Sequence, residues 1–120
     1  MTSFLSLEDL LYVVERAALG PVRDMGLLDS AAHRPQTHLF GVESYPDIDL
    51  KAAALLESSV RHHGLVDGNK CLGWLAVFAF YARNGILLDA PEDPAYDLVI
   101  GIATGELALS TIAEQLAQWH

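Results

Sequence analysis

The residues best equipped for chemistry lie together in one stretch, His63-Gly64-Leu65-Val66-Asp67-Gly68-Asn69-Lys70-Cys71. A polar, glycine-containing loop here runs straight into an apolar run, Leu72 to Ala82. A loop that opens a buried helix aims backbone N–H groups outward. The first N–H groups of a helix have no intrahelical acceptor, and the helix dipole puts partial positive charge there. Phosphate is the usual guest of such a site. Gly68 permits a tight turn or a close approach to a ligand. Asn69 suits a left-handed conformation or a bond to a phosphate oxygen, and Lys70 supplies a cation. Asp67 is a hard oxygen ligand of the kind Mg²⁺ takes alongside phosphates. His63 is the side chain best suited to accept a proton near neutral pH. A candidate base, metal ligand, anion cradle and cation therefore share one loop.

This stretch resembles the signature of the Fic/Doc family, His-x-Phe-x-(Asp/Glu/Asn)-(Gly/Ala)-Asn-(Gly/Lys)-Arg. His63, Asp67, Gly68, Asn69 and Lys70 fit it at the family's spacing. Lys70 after Asn69 resembles the Doc branch, the death-on-curing toxins; typical Fic proteins have Gly there. Leu65 stands where Phe is usual and keeps an apolar anchor. Cys71 stands where the family has Arg, and that departure touches the chemistry. Outside the motif, Gly101 to Glu106 is also similar to Doc, where a like stretch precedes the last helix. The resemblance spans nearly the whole chain.

The resemblance implies an all-α fold over residues 1–120: one Fic/Doc-like domain, a compact helical bundle around a buried central helix, with a small β-hairpin flap. It implies a toxin of a type II toxin–antitoxin system. Such relatives phosphorylate a Thr or Ser hydroxyl on elongation factor Tu with ATP and Mg²⁺. In that scheme His63 takes the hydroxyl proton and Asp67 holds Mg²⁺. Gly68, Asn69, Lys70 and position 71 cradle the phosphates, and Phe40, Gly41 and Val42 in the flap align the target. The partner implied is a Phd-like antitoxin, with a segment that folds into a helix in a groove near the first helix and the flap. Cys71 is expected to weaken the phosphate grip. Arg binds phosphate bidentately, whereas a thiol offers one weak donor. Two alternatives stay open: Fic-type AMP transfer, and an inactive module that binds antitoxin or nucleotide.

Other chemistries fit the residues less well. His62 is adjacent to His63 and so points elsewhere. His62, His63 and Cys71 match no common zinc spacing and lack an evident fourth ligand. A helix N-terminus beside Lys70 is a setting that would favour Cys71 as a nucleophile, but no Cys-His protease signature accompanies it. Ser110 to Gln115 nearly matches the self-inhibitory pattern of Fic proteins, (Ser/Thr)-x-x-x-Glu-(Gly/Asn), but ends in Gln.

The elements that must position the loop follow from spacing. Ser6 caps a first helix whose inward face is Leu7, Leu10, Leu11 and Val14, stopped by Gly20-Pro21. Val22 to Leu28 reads as a loop, and Asp29 as the cap of a short helix through Ala31 and Ala32, ended near Arg34-Pro35. Thr37 to Pro46 is the least helical stretch and reads as the flap. Asp47 or Asp49 caps a helix from about Leu50 to Arg61, which delivers His62 and His63. The helix after the motif, about Asn69 to Asn84, is apolar nearly all round, so it is expected to be buried. Trp74, Phe78 and Tyr81 read as its core aromatics, and Gly85 as its C′ residue. Asp93-Pro94 opens a helix to about Thr104, broken by Gly105. Ser110 or Thr111 starts the last helix to about Trp119, with Thr111 and Glu114 as a capping box.

Composition narrows the function classes. The chain carries 16 acidic residues against 7 Lys plus Arg, for a net charge of −9. Nucleic-acid binding is disfavoured, because neutralising phosphates needs basic surface. An acidic surface favours solubility, or a basic protein partner. No apolar run approaches the ~18 residues of a membrane span. Met1 to Leu5 has no basic region and soon meets Glu8 and Asp9, which argues against a signal peptide. A lone cysteine excludes an internal disulfide and fits a reducing cytoplasm.

Overall fold

The computed structural model describes all 120 residues. Six helices carry the fold: α1 (Leu7–Arg16), α2 (Met25–His33), α3 (Ile48–Arg61), α4 (Asn69–Arg83), α5 (Glu92–Ala103) and α6 (Leu109–Ala117). Between α2 and α3 lie a 3₁₀ turn, Arg34–Gln36, and a hairpin of two-residue strands, β1 (His38–Leu39) and β2 (Val42–Glu43). The fold is all-α with a small flap.

Helix α3 is the most enclosed element. Ala52, Ala53, Ala54, Leu55, Leu56 and Val60 are all buried, and the helix packs against α2, α4, α5, α6 and the 3₁₀ turn. Small side chains let neighbours approach from several sides. Helix α4 lies along it, and Gly73 marks the closest approach. A Cβ at Gly73 would sit 2.6 Å from Val60 Cγ2. The expected central helix is thus a tight pair, α3 and α4, with the motif loop joining them.

Local signals explain the helix ends. Ser6 and Asp9 form a reciprocal capping box at the start of α1, with bonds of 3.2 and 2.8 Å. Asp47 caps α3 through Leu50 N–H at 2.8 Å. Helix α4 ends in a Schellman motif. Ile86 N–H donates to Tyr81 O and Gly85 N–H to Ala82 O, with Gly85 left-handed.

Several expectations are corrected. Helix α2 begins at Met25, not near Asp29; Asp24 is its cap, 3.2 Å from Leu27 N–H, and Leu28, Ala31 and Ala32 form its buried face. Gly26 in the first turn had masked that start. Helix α1 ends at Arg16, before Gly20-Pro21, because Ala18 turns left-handed and the following segment is drawn to the motif loop. Pro91, not Asp93, precedes the first turn of α5. Ala108 is the N-cap of α6, so Thr111 and Glu114 form no capping box. Leu107 and Leu109 pack against the core and pull that start forward. In α4 Phe78 is 40 % exposed, and Phe80 takes the core position beside Tyr81. Trp74 is half-buried, edge-on to Trp119 at 6.2 Å.

Candidate phosphate-transfer site

Gly68 and Asn69 build the mouth of the site. Gly68 is the N-cap of α4 with φ +93°, a left-handed value that disfavours any side chain. A Cβ there would also press on Leu19 at 3.0 Å. No side chain caps the helix. The first N–H groups of a 15-residue helix, at Asn69, Lys70 and Cys71, therefore remain available to an anion. Lys70 and Cys71 are exposed in that first turn.

Asn69 has a different part from the one its type suggests. Its side-chain amide closes a ring with Leu65: Leu65 N–H donates to Oδ1 and Nδ2 donates to Leu65 O, both at 3.0 Å. The side chain is buried and shapes the loop, so its main-chain N–H is what it can offer a phosphate. Leu65 is 1 % exposed and anchors the loop in the core.

Asp67 is exposed. Its Oδ1 accepts the Gly68 N–H at 2.9 Å, which leaves Oδ2 free of hydrogen bonds within the chain. No cluster of three or more His, Cys, Asp or Glu side chains forms a ready-made cage. A single free carboxylate beside an anion cradle fits Mg²⁺, which is commonly held by one or two carboxylates, water and substrate phosphates.

His63 follows the end of α3. His62 is the C-cap, and His63 turns left-handed with φ +53°. Both histidines are exposed. A non-glycine residue in this region is uncommon and invites a functional explanation.

The segment 19–24 is the part of the site that sequence reasoning missed. It runs alongside the motif loop and bonds it repeatedly. Gly20 N–H donates to Asp67 O at 3.1 Å and Val66 N–H to Pro21 O at 2.9 Å. Arg23 N–H and Asp24 N–H both donate to Gly64 O, at 2.8 and 3.0 Å, and Arg23 Nε donates to His63 O at 2.8 Å. A bridge pairs Val22 with Leu65. These are mostly main-chain bonds, which leave little trace in residue type.

A cleft of about 430 Å³ opens from the start of α4 toward α5. Lys70, Cys71 and Trp74 form one wall, and Glu92, Tyr96 and Val99 the other. It is mainly apolar, and Lys70 and Glu92 are its charged lining residues.

The flap is pinned at its base and free at its tip. His38 pairs with Glu43 and Leu39 with Val42. Phe40 and Gly41 turn between them with φ +52° and +79°, the pattern of a type I′ turn. Phe40 is 96 % exposed, and Leu39 and Val42 are exposed as well. Below, Lys51 is 2 % exposed. Its Nζ bonds Tyr45 O and pairs with Glu43 at 3.3 Å. Arg34 ties Tyr45 Oη (2.9 Å) to Glu57 (2.9 Å) and Ser58 (2.9 Å) on α3. Burial alone would lower the Arg34 pKa, but its bonds to Tyr45 and Glu57 outweigh that and raise it.

Two further ties brace the bundle. Arg83 on α4 grips Asp9 on α1 at 2.8 and 3.2 Å. That hydrogen bond, with the Ser6 cap, holds the Asp9 carboxyl down at about 2. Tyr81 Oη donates to Asp49 at 2.6 Å, and His120 Nε2 lies 2.7 Å from the same oxygen. Burial, and then the Asp49 carboxylate, push the Tyr81 phenol up, so it stays a donor.

The structure is an all-α bundle in which an uncapped helix start follows a His-Asp-Gly-Asn-Lys loop, with a hairpin tied to the preceding helix. Comparisons with known proteins give the family. A profile of the Fic/DOC family matches residues 4–81. The chain is 46 % identical to Toxin Doc of Mycolicibacterium smegmatis over 121 aligned positions, covering 98 % of this chain and 93 % of that one. It is 32 % identical to the protein kinase doc of Escherichia phage P1 over 98 positions, covering 81 % and 75 %. The chain belongs to the Fic/DOC family.

Proposed function

We propose that this protein is a Doc-like toxin that transfers the terminal phosphate of ATP to a Thr or Ser hydroxyl of a translation factor, elongation factor Tu. The observation that supports this most is the uncapped start of α4 opening beside Lys70, Asp67 and His63. The names of its relatives, a toxin and a protein kinase, agree with it.

Catalysis would rest on positioning and electrostatics. His63 takes the proton from the target hydroxyl as its oxygen bonds to phosphorus and the bond to ADP breaks. The main-chain N–H groups of Asn69, Lys70 and Cys71, with the Lys70 ammonium, balance phosphate charge. Asp67 would hold Mg²⁺, which when bound neutralises phosphate oxygens. The apolar cleft lined by Trp74 and Tyr96 suits the flat face of a nucleotide base. The flap tip, Phe40 to Val42, would meet the target segment. The reaction belongs in the cytoplasm, where translation occurs; no helix is long and apolar enough to cross a membrane.

An antitoxin of Phd-like type is the proposed partner. A shallow groove between α1 and α4 carries Tyr12, Val13, Arg16, Ala17 and Leu75. It suits a helix with apolar anchors at helical spacing. Titration calorimetry with such a tail peptide is expected to show a negative heat-capacity change.

The test of the reaction is the mass added to purified elongation factor Tu by the chain with ATP and Mg²⁺. A phosphate supports this reading. An AMP adduct would establish the Fic-type alternative instead. A second reading rests on Cys71. With no guanidinium at that position, the chain is attenuated, and in the limit a binding module that engages nucleotide or antitoxin without turnover. Absence of any adduct, with ATP binding intact, would establish it.

A further inference from the structure

We propose that Arg23 is a positioning residue for the candidate base: it holds His63 in the left-handed conformation that sets where the imidazole points. The inference rests on the proposed role of His63, but it is carried by a different set of contacts.

Helix α3 closes at His62, whose N–H donates to Ser58 O. Beyond it the chain has no helical partners, and His63 adopts φ +53°. An L-residue does not stay there without support, because the alternative with negative φ is sterically easier. Residues 23 and 24 supply support at this point. Arg23 Nε donates to His63 O at 2.8 Å, and the main-chain N–H groups of Arg23 and Asp24 both donate to Gly64 O. Two successive carbonyls thus receive three donors from two successive residues. Arg23 is itself fixed, because Asp24 caps α2 through Leu27 N–H. The order of support runs from α2, through Asp24 and Arg23, to His63.

The side-chain bond is the part that sequence controls. The main-chain bonds to Gly64 survive substitution of Arg23, whereas the bond to His63 O does not. Without it the His63 carbonyl is free to rotate, and rotation about ψ and φ redirects the Cα–Cβ bond. The imidazole would then be displaced from the hydroxyl it serves. Misplacement of a reacting group by ~1 Å costs about 10²-fold in rate while leaving ground-state binding nearly unchanged. Lysine keeps a donor but carries it one bond further along a flexible stem, so it holds the carbonyl less firmly.

The experiment uses the full chain and its Arg23→Ala, Arg23→Lys and His63→Ala variants. Two measurements are made. The ¹³Cα and ¹³Cβ shifts of His63 report its backbone conformation without any activity. Single-turnover transfer from labelled ATP reports rate, and calorimetry reports ATP affinity. Arg23→Ala is expected to move the His63 carbon shifts out of the left-handed range and to slow transfer by ~10–100-fold. ATP affinity should stay within about twofold and the thermal midpoint nearly unchanged. Arg23→Lys should recover part of the rate, and millimolar guanidinium, below denaturing strength, should restore part of it to Arg23→Ala. The inference is overturned if His63 keeps its shifts in Arg23→Ala, or if those shifts move while a transfer rate that His63→Ala does slow stays unchanged. If His63→Ala leaves transfer intact, the base assignment fails, and the carbon shifts still decide whether Arg23 sets the conformation of His63.

Discussion

Replacing Cys71 by Arg is expected to raise ATP-dependent transfer by at least tenfold. Cys71 is the third residue of α4, is exposed, and borders the cleft with Lys70, Trp74 and Glu92. A longer side chain there meets solvent and cleft rather than core, so packing does not oppose it. A guanidinium that bonds a phosphate adds one charge-assisted hydrogen bond, ~1.5–3 kcal/mol. At ~1.4 kcal/mol per factor of ten, that is roughly 10–150-fold. The same charge in the first turn of a helix opposes the macrodipole by about 0.3–1 kcal/mol. The ligand-free variant should therefore melt slightly lower while it works faster, and these opposite signs separate a site effect from general stabilisation. The assay is transfer of labelled phosphate to elongation factor Tu, with uninhibited expression as a second readout of toxicity. Cys71→Ala is the control and should match the chain as it stands. Equal rates for Cys71→Arg and the parent would refute the phosphate-grip argument. Loss of a clear parental activity in Cys71→Ala would make the thiol the working group and sink the Doc-like mechanism.

Other outcomes follow from the geometry. His63→Ala should slow transfer by roughly 10²–10⁴-fold with the fold intact, and His62→Ala should do little; equal losses would mean the base is misassigned. Lys51→Met removes the ties from α3 to Glu43 and Tyr45; amide exchange at Ser44, which bonds Thr37 O, should quicken, and target modification should fall with ATP affinity kept. Gly73→Ala forces a methyl against Val60 and Leu56 and should cost about 1–3 kcal/mol in urea unfolding; an unchanged midpoint would show that α3 and α4 can part freely. The Asp9 carboxyl is held at about 2, below its ordinary 3.8, so its contribution is present above about pH 4 and is lost as pH falls through 2. Both Asp9 and Arg83 are partly exposed, at 31 % and 40 %, so this is about 1 kcal/mol or less; thermal midpoints of the parent and Asp9→Asn should converge toward pH 2.

The family signature was legible because it depends on residue type. His63, Asp67, Gly68, Asn69 and Lys70 at fixed spacing announce the Fic/DOC family, and helix α4 was found nearly to the residue because its loop-to-apolar boundary is sharp. The hairpin of residues 38–43 followed from the family resemblance, whereas the all-helical class was legible for similar reasons. The role of Asn69 was not, since a buried amide that braces its own loop looks the same in a sequence as one that binds phosphate. The cradle at residues 19–24 was hidden because main-chain hydrogen bonds are nearly blind to side chains. Helix α2 was misread because Gly26 interrupts its first turn. The rank of α3 over α4 as the most enclosed helix was hidden by Lys51, Ser58 and Ser59. Each is a polar residue buried in this fold, and only the tertiary structure supplies a reason for Lys51 and Ser58.

The bonds from residues 20–24 to the motif loop have a consequence for how function is lost. The contacting residues stand about forty positions apart, as Arg23 and His63 do, and ordering the chain between them is costly. The motif loop therefore has no shape of its own until α1, α2 and their connection have docked. A synthetic peptide spanning residues 60–84 should show partial helix by circular dichroism yet no measurable affinity for ATP. A single proteolytic nick between Ala17 and Asp24 should abolish the proposed transfer even where the two fragments stay associated through the α1 and α4 faces. In urea, inactivation and loss of helical signal should coincide, because no intermediate that lacks the N-terminal segment retains a formed loop.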